Sequence, residues 1–469
     1  MTNQTLLYVS GLRVSGLRVP GKLTSAIRAV ILMPALLLAV GLAAAPARAF
    51  SLINDSETEG LLRDYSMPIW HASGIDPNAV GVYLVNDNTI NAFVSNGQRL
   101  FINTGLITEV ETPSELIGVI AHETGHMAGG HLTRSNEAIS GMAMPYYASM
   151  LLGIGAIAAG SPDAGMAILA GGAQLAQRGI LSYSREQEAR ADQAGATFLE
   201  RAGLSGKGMM DLFESFRDQE ALSDTQQDPF VRSHPISEDR LSALEDRVTS
   251  SRFYDKLDSP ESIERLKLVQ AKLHGFMDDP QLTFNRYPES DKSLYAHYAR
   301  TVAYHKMGKL DASLAELQMC IDKQPRNPYF WELKGQVLFE SGMIEPSIEA
   351  YRKSVSLKPG DSFLELGLGQ SILGRDSVPA AQEAIPHLQS AIKTRPDLAF
   401  PYYQLSVAYG RLNQIGMAEL ATAQYFDVTG RVEEARMHAI RASQLLKNGS
   451  PDWLRAQDIA TQPADKERG

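Results

Sequence analysis

Two textures of apolar and polar positions follow one another along this chain. The runs "VGVYLV", "INAFVS" and "QRLFIN", between Val80 and Asn103, alternate β-branched or aromatic residues with others and are separated by Asn, Asp and Gly. A period of two with such breaks predicts short strands joined in hairpins. On either side the period lengthens to that of a helix. "EGLLRDYSMPIW" precedes the strands, and Thr112-Pro113-Ser114-Glu115 follows them as a capping box with Pro at the first helical position. The helix it opens runs through "SELIGVIAHETGHMA". Strands grouped first and helices after them predict an α+β domain.

From about Lys292 the pattern is helical throughout and repeats. Pro325, Pro359 and Pro396 stand 34 and 37 residues apart, and 34 is the period of tetratricopeptide repeats. The clearest copy runs from Pro328 to Asp361, with Trp331, Gly335, Leu338, Gly342, Tyr351 and Pro359 at the large, small, turn and terminating positions. Tyr304, Gly308 and Pro325 mark the copy before it. A third copy, with an insertion near Val378, holds Gly369, Ala384, Leu388, Ala391 and Pro396; a fourth holds Tyr402, Leu405, Tyr409 and Ala418. "GRVEEARMHAIRASQLL" predicts a capping helix. An all-α solenoid of this kind offers a concave face to peptide segments or partner proteins. Cys320 falls at a small-residue position between paired helices, which predicts a core residue rather than a reactive thiol.

Charge adds a third region. The first acidic residue is Asp55; before it, Arg13, Arg18, Lys22 and Arg28 lead into an apolar run from Val30 to Ala45, and Ala47-Arg48-Ala49 offers a cleavage site. Residues 1–49 therefore read as an export signal cleaved after Ala49, which predicts a periplasmic protein. The expected division is the α+β domain over 50–275 and the repeat domain over 276–469. The formal net charge of −10 argues against nucleic acid as a partner. With a single cysteine there is no intrachain disulfide, so packing and any bound metal must hold the fold. Residues 138–177 carry one charge, Asp163, and are rich in Gly and Ala. They predict either a helical hairpin lying over the active site or one that makes peripheral contact with a membrane.

Three of the ten histidines fall in "HETGHMAGGH", His122 to His131. His122-Glu123-Thr124-Gly125-His126 is H-E-x-x-H, and on a helix positions four apart share a face. Two imidazoles so placed can bind one Zn²⁺, with Glu123 beside them as the base for an attacking water. A third ligand is needed. His131 is one residue early for the H-E-x-x-H-x-x-G-x-x-H pattern, whose last position, 132, is Leu; it is expected beside the site or at the surface. The alternative is "YSREQEARADQAG", where Glu188 and Asp192 lie four apart on one helical face. Glu188 is the expected third ligand, and Asp192 the acceptor that fixes the tautomer of a ligating histidine.

The combination "HETGH", "SREQEARAD" and "SHPISEDR" resembles the M48 family of zinc metallopeptidases. With an export signal in front and repeats behind, it is similar to the periplasmic group of that family. The resemblance implies a zincin-like fold with one Zn²⁺ per subunit. It also implies endopeptidase activity toward unfolded or misassembled outer-membrane proteins, and docking of the repeats on the outer-membrane β-barrel assembly machinery. By motif, His122, His126 and Glu188 match the ligands, Glu123 the base, Asp192 the orienting carboxylate, and Asn91-Ala92-Phe93 the strand along the substrate cleft. His234, in "HPISEDR", has three readings: it hydrogen-bonds the oxyanion, it fills the open metal position and silences the enzyme, or it only makes local contacts at the start of the following helix. Arg240 could pin that segment. The rival to an active protease is a chaperone or scaffold whose repeats do the work and whose metal site is latent.

Overall fold

The computed structural model describes residues 51–95, 98–131, 184–217 and 227–462. The expected export signal and the 138–177 segment lie outside these residues. Four strands form one sheet: β1 (Leu52–Ile53), β2 (Gly81–Val85), β3 (Ala92–Ser95) and β4 (Arg99–Asn103), in the order β1-β2-β4-β3. β3 and β4 form the expected hairpin, Ala92 opposite Ile102. β2 does not pair with β3; it runs parallel to β4, Gly81 opposite Arg99. The reason lies in the connection. Asp87 O accepts from Gly105 N (2.9 Å) and Thr104 Oγ1 (2.7 Å), and Asn103 Nδ2 donates to Thr89 Oγ1 (3.1 Å). The loop is thus tied across the end of β4, so β3 emerges on its far side. A Cβ on Gly105 would sit 2.3 Å from Asn88 O, so only glycine admits this crossing.

Alternation then assigns the faces. Tyr83, Phe101 and Phe93 stack along one face, with ring centroids 5.0 and 4.9 Å apart. Val82, Leu84, Ala92, Val94, Leu100 and Ile102 turn to the other and join the core of helices α1 (Ser56–Ser73) and α3 (Pro113–Gly129); α2 (Thr104–Glu109) links β4 to α3. Thr112 caps α3 by accepting from Glu115 N, with Pro113 in its first turn, as the capping box predicts. The helix over 184–201, α4, crosses α3 at unusual proximity. A Cβ on Gly125 would lie 2.6 Å from Ala191 O, and one on Gly195 would lie 3.0 Å from Ala121 O. Behind them follow α5 (Lys207–Ser215), α6 (Pro229–Ser233), α7 (Glu238–Thr249), α8 (Pro260–Met277) and α9 (Pro280–Arg286).

The remainder is stacked helical pairs: α10 (Leu294–Lys306) with α11 (Leu310–Lys323), α12 (Pro328–Glu340) with α13 (Ile344–Leu357), α14 (Ser362–Leu373) with α15 (Val378–Thr394), and α16 (Ala399–Arg411) with α17 (Ile415–Val428). Two helices follow where the sequence predicts one, α18 (Val432–Leu445) and α19 (Pro451–Ala460), because Ser450-Pro451 caps a second start. The small positions fit their large partners: Tyr351 is wedged against Gly335 and Gly367, where a Cβ would approach its ring to 2.4 and 2.3 Å. Cys320 is fully buried, and burial pushes its thiol up to about 12.

The solenoid grips the first turn of α1. Buried Lys272 of α8 pairs with Asp55, and its Nζ lies 3.5 Å from both Glu57 and Glu332 of α12. Tyr298 of α10 donates to Glu57 (2.6 Å), and Ser56 donates to Asp361. Arg395 donates to Glu59 at 2.5 Å, yet burial outweighs the cation and raises the Glu59 carboxyl to about 7.

Candidate metal centre

Helix α3 presents His122, Glu123 and His126 one turn apart, all buried. The close approach permitted by Gly125 and Gly195 brings α4 near enough for its short acidic side chains to reach them. Glu188 Oε2 lies 3.4 Å from His122 Nε2, and Glu188 Oε1 lies 3.4 Å from His126 Nε2. The two Nε2 atoms are 3.1 Å apart. His234, immediately after α6, places Nδ1 at 3.2 Å from His122 Nε2 and 3.0 Å from Glu188 Oε2. Four donors at 2.0–2.1 Å from one tetrahedral ion stand about 3.3–3.4 Å apart. The five separations above fall close to that value, and all four donors lie within 4.8 Å of one another. Nitrogen lone pairs packed this tightly repel unless a cation or a proton lies between them, so the residues fit a divalent metal.

Glu123 supplies a second test. It is fully buried, and neither carboxylate oxygen has a hydrogen-bond partner among the described residues; His234 Nε2 lies 3.3 Å from Oε1. A buried carboxylate without a donor is costly. Such a group is tolerated where it faces a water or a cation that carries function.

The surrounding groups fix these side chains. His122 Nδ1 lies 2.9 Å from Asp192 Oδ1. Asp192 in turn accepts from Arg240 Nε (2.7 Å) and Nη2 (2.8 Å), a bidentate pair. Arg240 Nη1 reaches Glu188 Oε2 (3.4 Å) and donates to Pro235 O, tying down the segment that carries His234. Burial alone would lower the His122 pKa, but the bonds to Asp192 and Glu188 overcome it and raise it to about 9. Burial would raise Glu188 and Asp192, yet His234 and the histidine bonds hold Glu188 far below the usual carboxylate range. His122 and Arg240 hold Asp192 low. Both carboxylates are therefore ionised, as ligand and orienting group require.

Each predicted site residue has a definite place. His122, His126, Glu188 and His234 converge, with Glu123 and Asp192 beside them. Ala92 and Phe93 lie on β3, the sheet edge that packs on α3, and Asn91 immediately precedes it. Ile90 O accepts from Phe230 N (3.2 Å), so α6 is tied to the segment just ahead of that strand. His131 is neither a converging donor nor at the surface: it is buried, with Nδ1 3.0 Å from His126 Nδ1. Sequence reasoning missed the apolar wall against His122, Phe213 and Phe230, with ring centroids at 5.5 and 6.4 Å. Its only sequence signal was the closeness of Phe230 to "HPISEDR".

The chain is similar to known proteins over most of its length. The family model described as peptidase family M48 matches residues 62–248, and a tetratricopeptide repeat model matches 328–361, the clearest copy read from the sequence. The beta-barrel assembly-enhancing protease of Yersinia pestis is 26% identical over 379 residues, covering 80% of this chain and 76% of that protein. The protein of that name from Escherichia coli (strain K12) is 26% identical over 407 residues, covering 85% and 81%. Among solved structures, the crystal structure of MamA matches 34% of this chain and 90% of its own at 20% identity and a TM-score of 0.27.

Proposed function

Because the chain carries a metallopeptidase domain of family M48 with tetratricopeptide repeats behind it, we propose that it is a zinc-dependent endopeptidase of the bacterial periplasm. Its substrates are unfolded or misassembled outer-membrane β-barrel proteins. Residues 50–275 form the peptidase domain, and 276–469 form a repeat domain that engages those clients or their assembly machinery. The observation that carries the reading is the convergence of His122, His126 and Glu188 beside a buried Glu123 that accepts no hydrogen bond among the described residues. The names and coverage of the relatives support the substrate class.

One Zn²⁺ per subunit, held by His122, His126 and Glu188, would supply Lewis-acid polarisation of the scissile carbonyl and activation of water. The chain's own residues do the rest. β3 is the outermost strand of the described sheet, and an extended backbone pairing along it would select unfolded segments. Glu123, buried and adjacent, takes the proton from the attacking water and passes it to the leaving amine. Asp192 accepts the His122 Nδ1 proton and holds that ring, and Arg240 holds Asp192. Phe213 and Phe230 keep bulk water from the histidine face.

His234 favours a latent resting form, because its Nδ1 stands where a fourth donor belongs. The same segment is tied to Ile90, just ahead of β3, through Phe230 N. Release of α6 would vacate the open position. The test is cleavage of an unfolded outer-membrane β-barrel protein by wild type, by Glu123→Gln and by wild type with chelator. Cleavage that survives both treatments would end the protease reading. Zinc bound with no cleavage by wild type or by His234→Ala would favour a scaffold. His234→Ala is expected to cleave faster than wild type. Slower cleavage would assign the histidine to the oxyanion, and unchanged cleavage with an unchanged metal spectrum would remove both roles.

A further inference from the structure

We propose that His131 is the positioning residue for His126: it accepts the Nδ1–H of His126 and so directs that ring's Nε2 lone pair at the metal. The inference rests on the metal reading above and adds a residue to it.

A neutral imidazole that donates one nitrogen to a metal carries its proton on the other, and that N–H needs an acceptor. On His122 the acceptor is the Asp192 carboxylate, 2.9 Å from Nδ1. His126 presents the same problem, because its Nε2 also faces the convergence point. The group facing its Nδ1 is His131 Nδ1, at 3.0 Å, with the two rings at 83°. Two Nδ1 atoms at that separation share one proton. If His126 holds it, His131 is neutral, with its lone pair on Nδ1 and its own proton on Nε2. A metal on His126 Nε2 would thus fix the tautomers of both rings.

The local backbone is built for this contact. Helix α3 ends at Gly129, and Gly130 takes φ +61, which turns the chain back on itself. A Cβ on Gly129 would lie 2.4 Å from His131 Nε2, so the glycine leaves the space the ring fills. Gln187 Nε2 donates to the His131 carbonyl at 3.2 Å, anchoring it to α4 beside Glu188. His131 is 4% exposed, so its ring contacts protein rather than bulk solvent. One short turn therefore connects both ligand-bearing helices to the ring that holds His126.

The test uses the full chain loaded with Zn²⁺ and two substitutions. His131→Phe keeps a ring but removes the acceptor, and zinc affinity measured by chelator competition is expected to fall about 10–100-fold. His131→Asn restores an acceptor oxygen and is expected to recover most of that loss. A merely structural role would not give this rescue. Should His131→Phe fail to fold, ¹⁵N-histidine spectra of zinc-loaded wild type still decide. The expected result is a proton on His126 Nδ1 coupled across a hydrogen bond to His131 Nδ1. A folded His131→Phe that binds zinc as tightly as wild type would overturn the proposal, and so would a His126 Nδ1 that carries no proton. If wild type binds no zinc, the metal reading falls as well, whereas tight binding with no such coupling sinks this inference alone.

Discussion

Gly125→Ala separates the two helices of the centre without touching a donor. In the structure a Cβ at this position lies 2.6 Å from Ala191 O and 2.9 Å from Ala191 Cα. Ordinary carbon contacts begin near 3.4 Å, so α4 must retreat from α3 by about 0.5–0.8 Å. Both atoms it meets are backbone, which has no rotamer to yield. The retreat carries Glu188 with it, and its 3.4 Å separations from His122 Nε2 and His126 Nε2 widen toward 4 Å. A metal site tolerates about 0.2 Å in each ligand distance, so zinc affinity should fall at least ~10-fold. Stability in the metal-free state moves less. Overpacking costs about 1–3 kcal/mol, and replacing glycine in a helix returns about 1 kcal/mol. The net expectation is a loss of about 0–2 kcal/mol. Chelator competition measures the first quantity and urea unfolding of the metal-free protein the second. Gly410→Ala is the control, since nothing lies within 4 Å of its Cβ and the helix gain should appear undiluted. If Gly125→Ala binds zinc as wild type does and gains the full helix increment, the close packing of α3 on α4 does not set the site.

Three further outcomes are expected. Removing zinc with a chelator should lower the unfolding temperature, because a ligand that binds only the folded state at 100 times its Kd contributes about 2.7 kcal/mol; a scan unchanged by chelator would contradict the site. Arg240→Met should cost about 3–5 kcal/mol by leaving the buried Asp192 with a single charged partner fewer, and urea unfolding would register it. At the solenoid junction, Glu59 titrates near 7 in the folded chain against 4.5 ordinarily. The folded state then holds the extra proton between those values, so stability should fall as pH rises from about 4.5 to about 7. That fall is at most about 3 kcal/mol. Glu59→Gln should flatten that part of the profile in thermal scans from pH 4 to 8, and an unchanged slope would refute the assignment.

The centre was legible in the sequence where spacing alone places side chains. H-E-x-x-H on a capped helix fixes two rings by periodicity, and Glu188 and Asp192 share a face for the same reason. The repeats were legible because a 34-residue period recurs. What spacing cannot give is contact between distant segments. His131 was expected beside the site or at the surface; only the reversal at Gly130 decides between these and brings it to His126. Strand order failed similarly. The three runs looked like successive hairpins, but hydrogen bonds from Thr104 and Gly105 to Asp87 decide which neighbours pair, and no alternation pattern records them. Nor did any local pattern announce that Asp55, Glu57 and Glu59 would meet Lys272, Tyr298 and Arg395, since charges near a helix start ordinarily face water.

That last arrangement has a mechanical consequence. The opening turn of α1 is held by side chains from α8, α10 and the segment just before α16, and α1 itself packs on the helix that bears the histidines. The solenoid is therefore a fixed arm rather than a tethered one. A client bound along it would reach the cutting site over a span set by the architecture, so the position of the cut should be counted from the docked segment as if along a ruler.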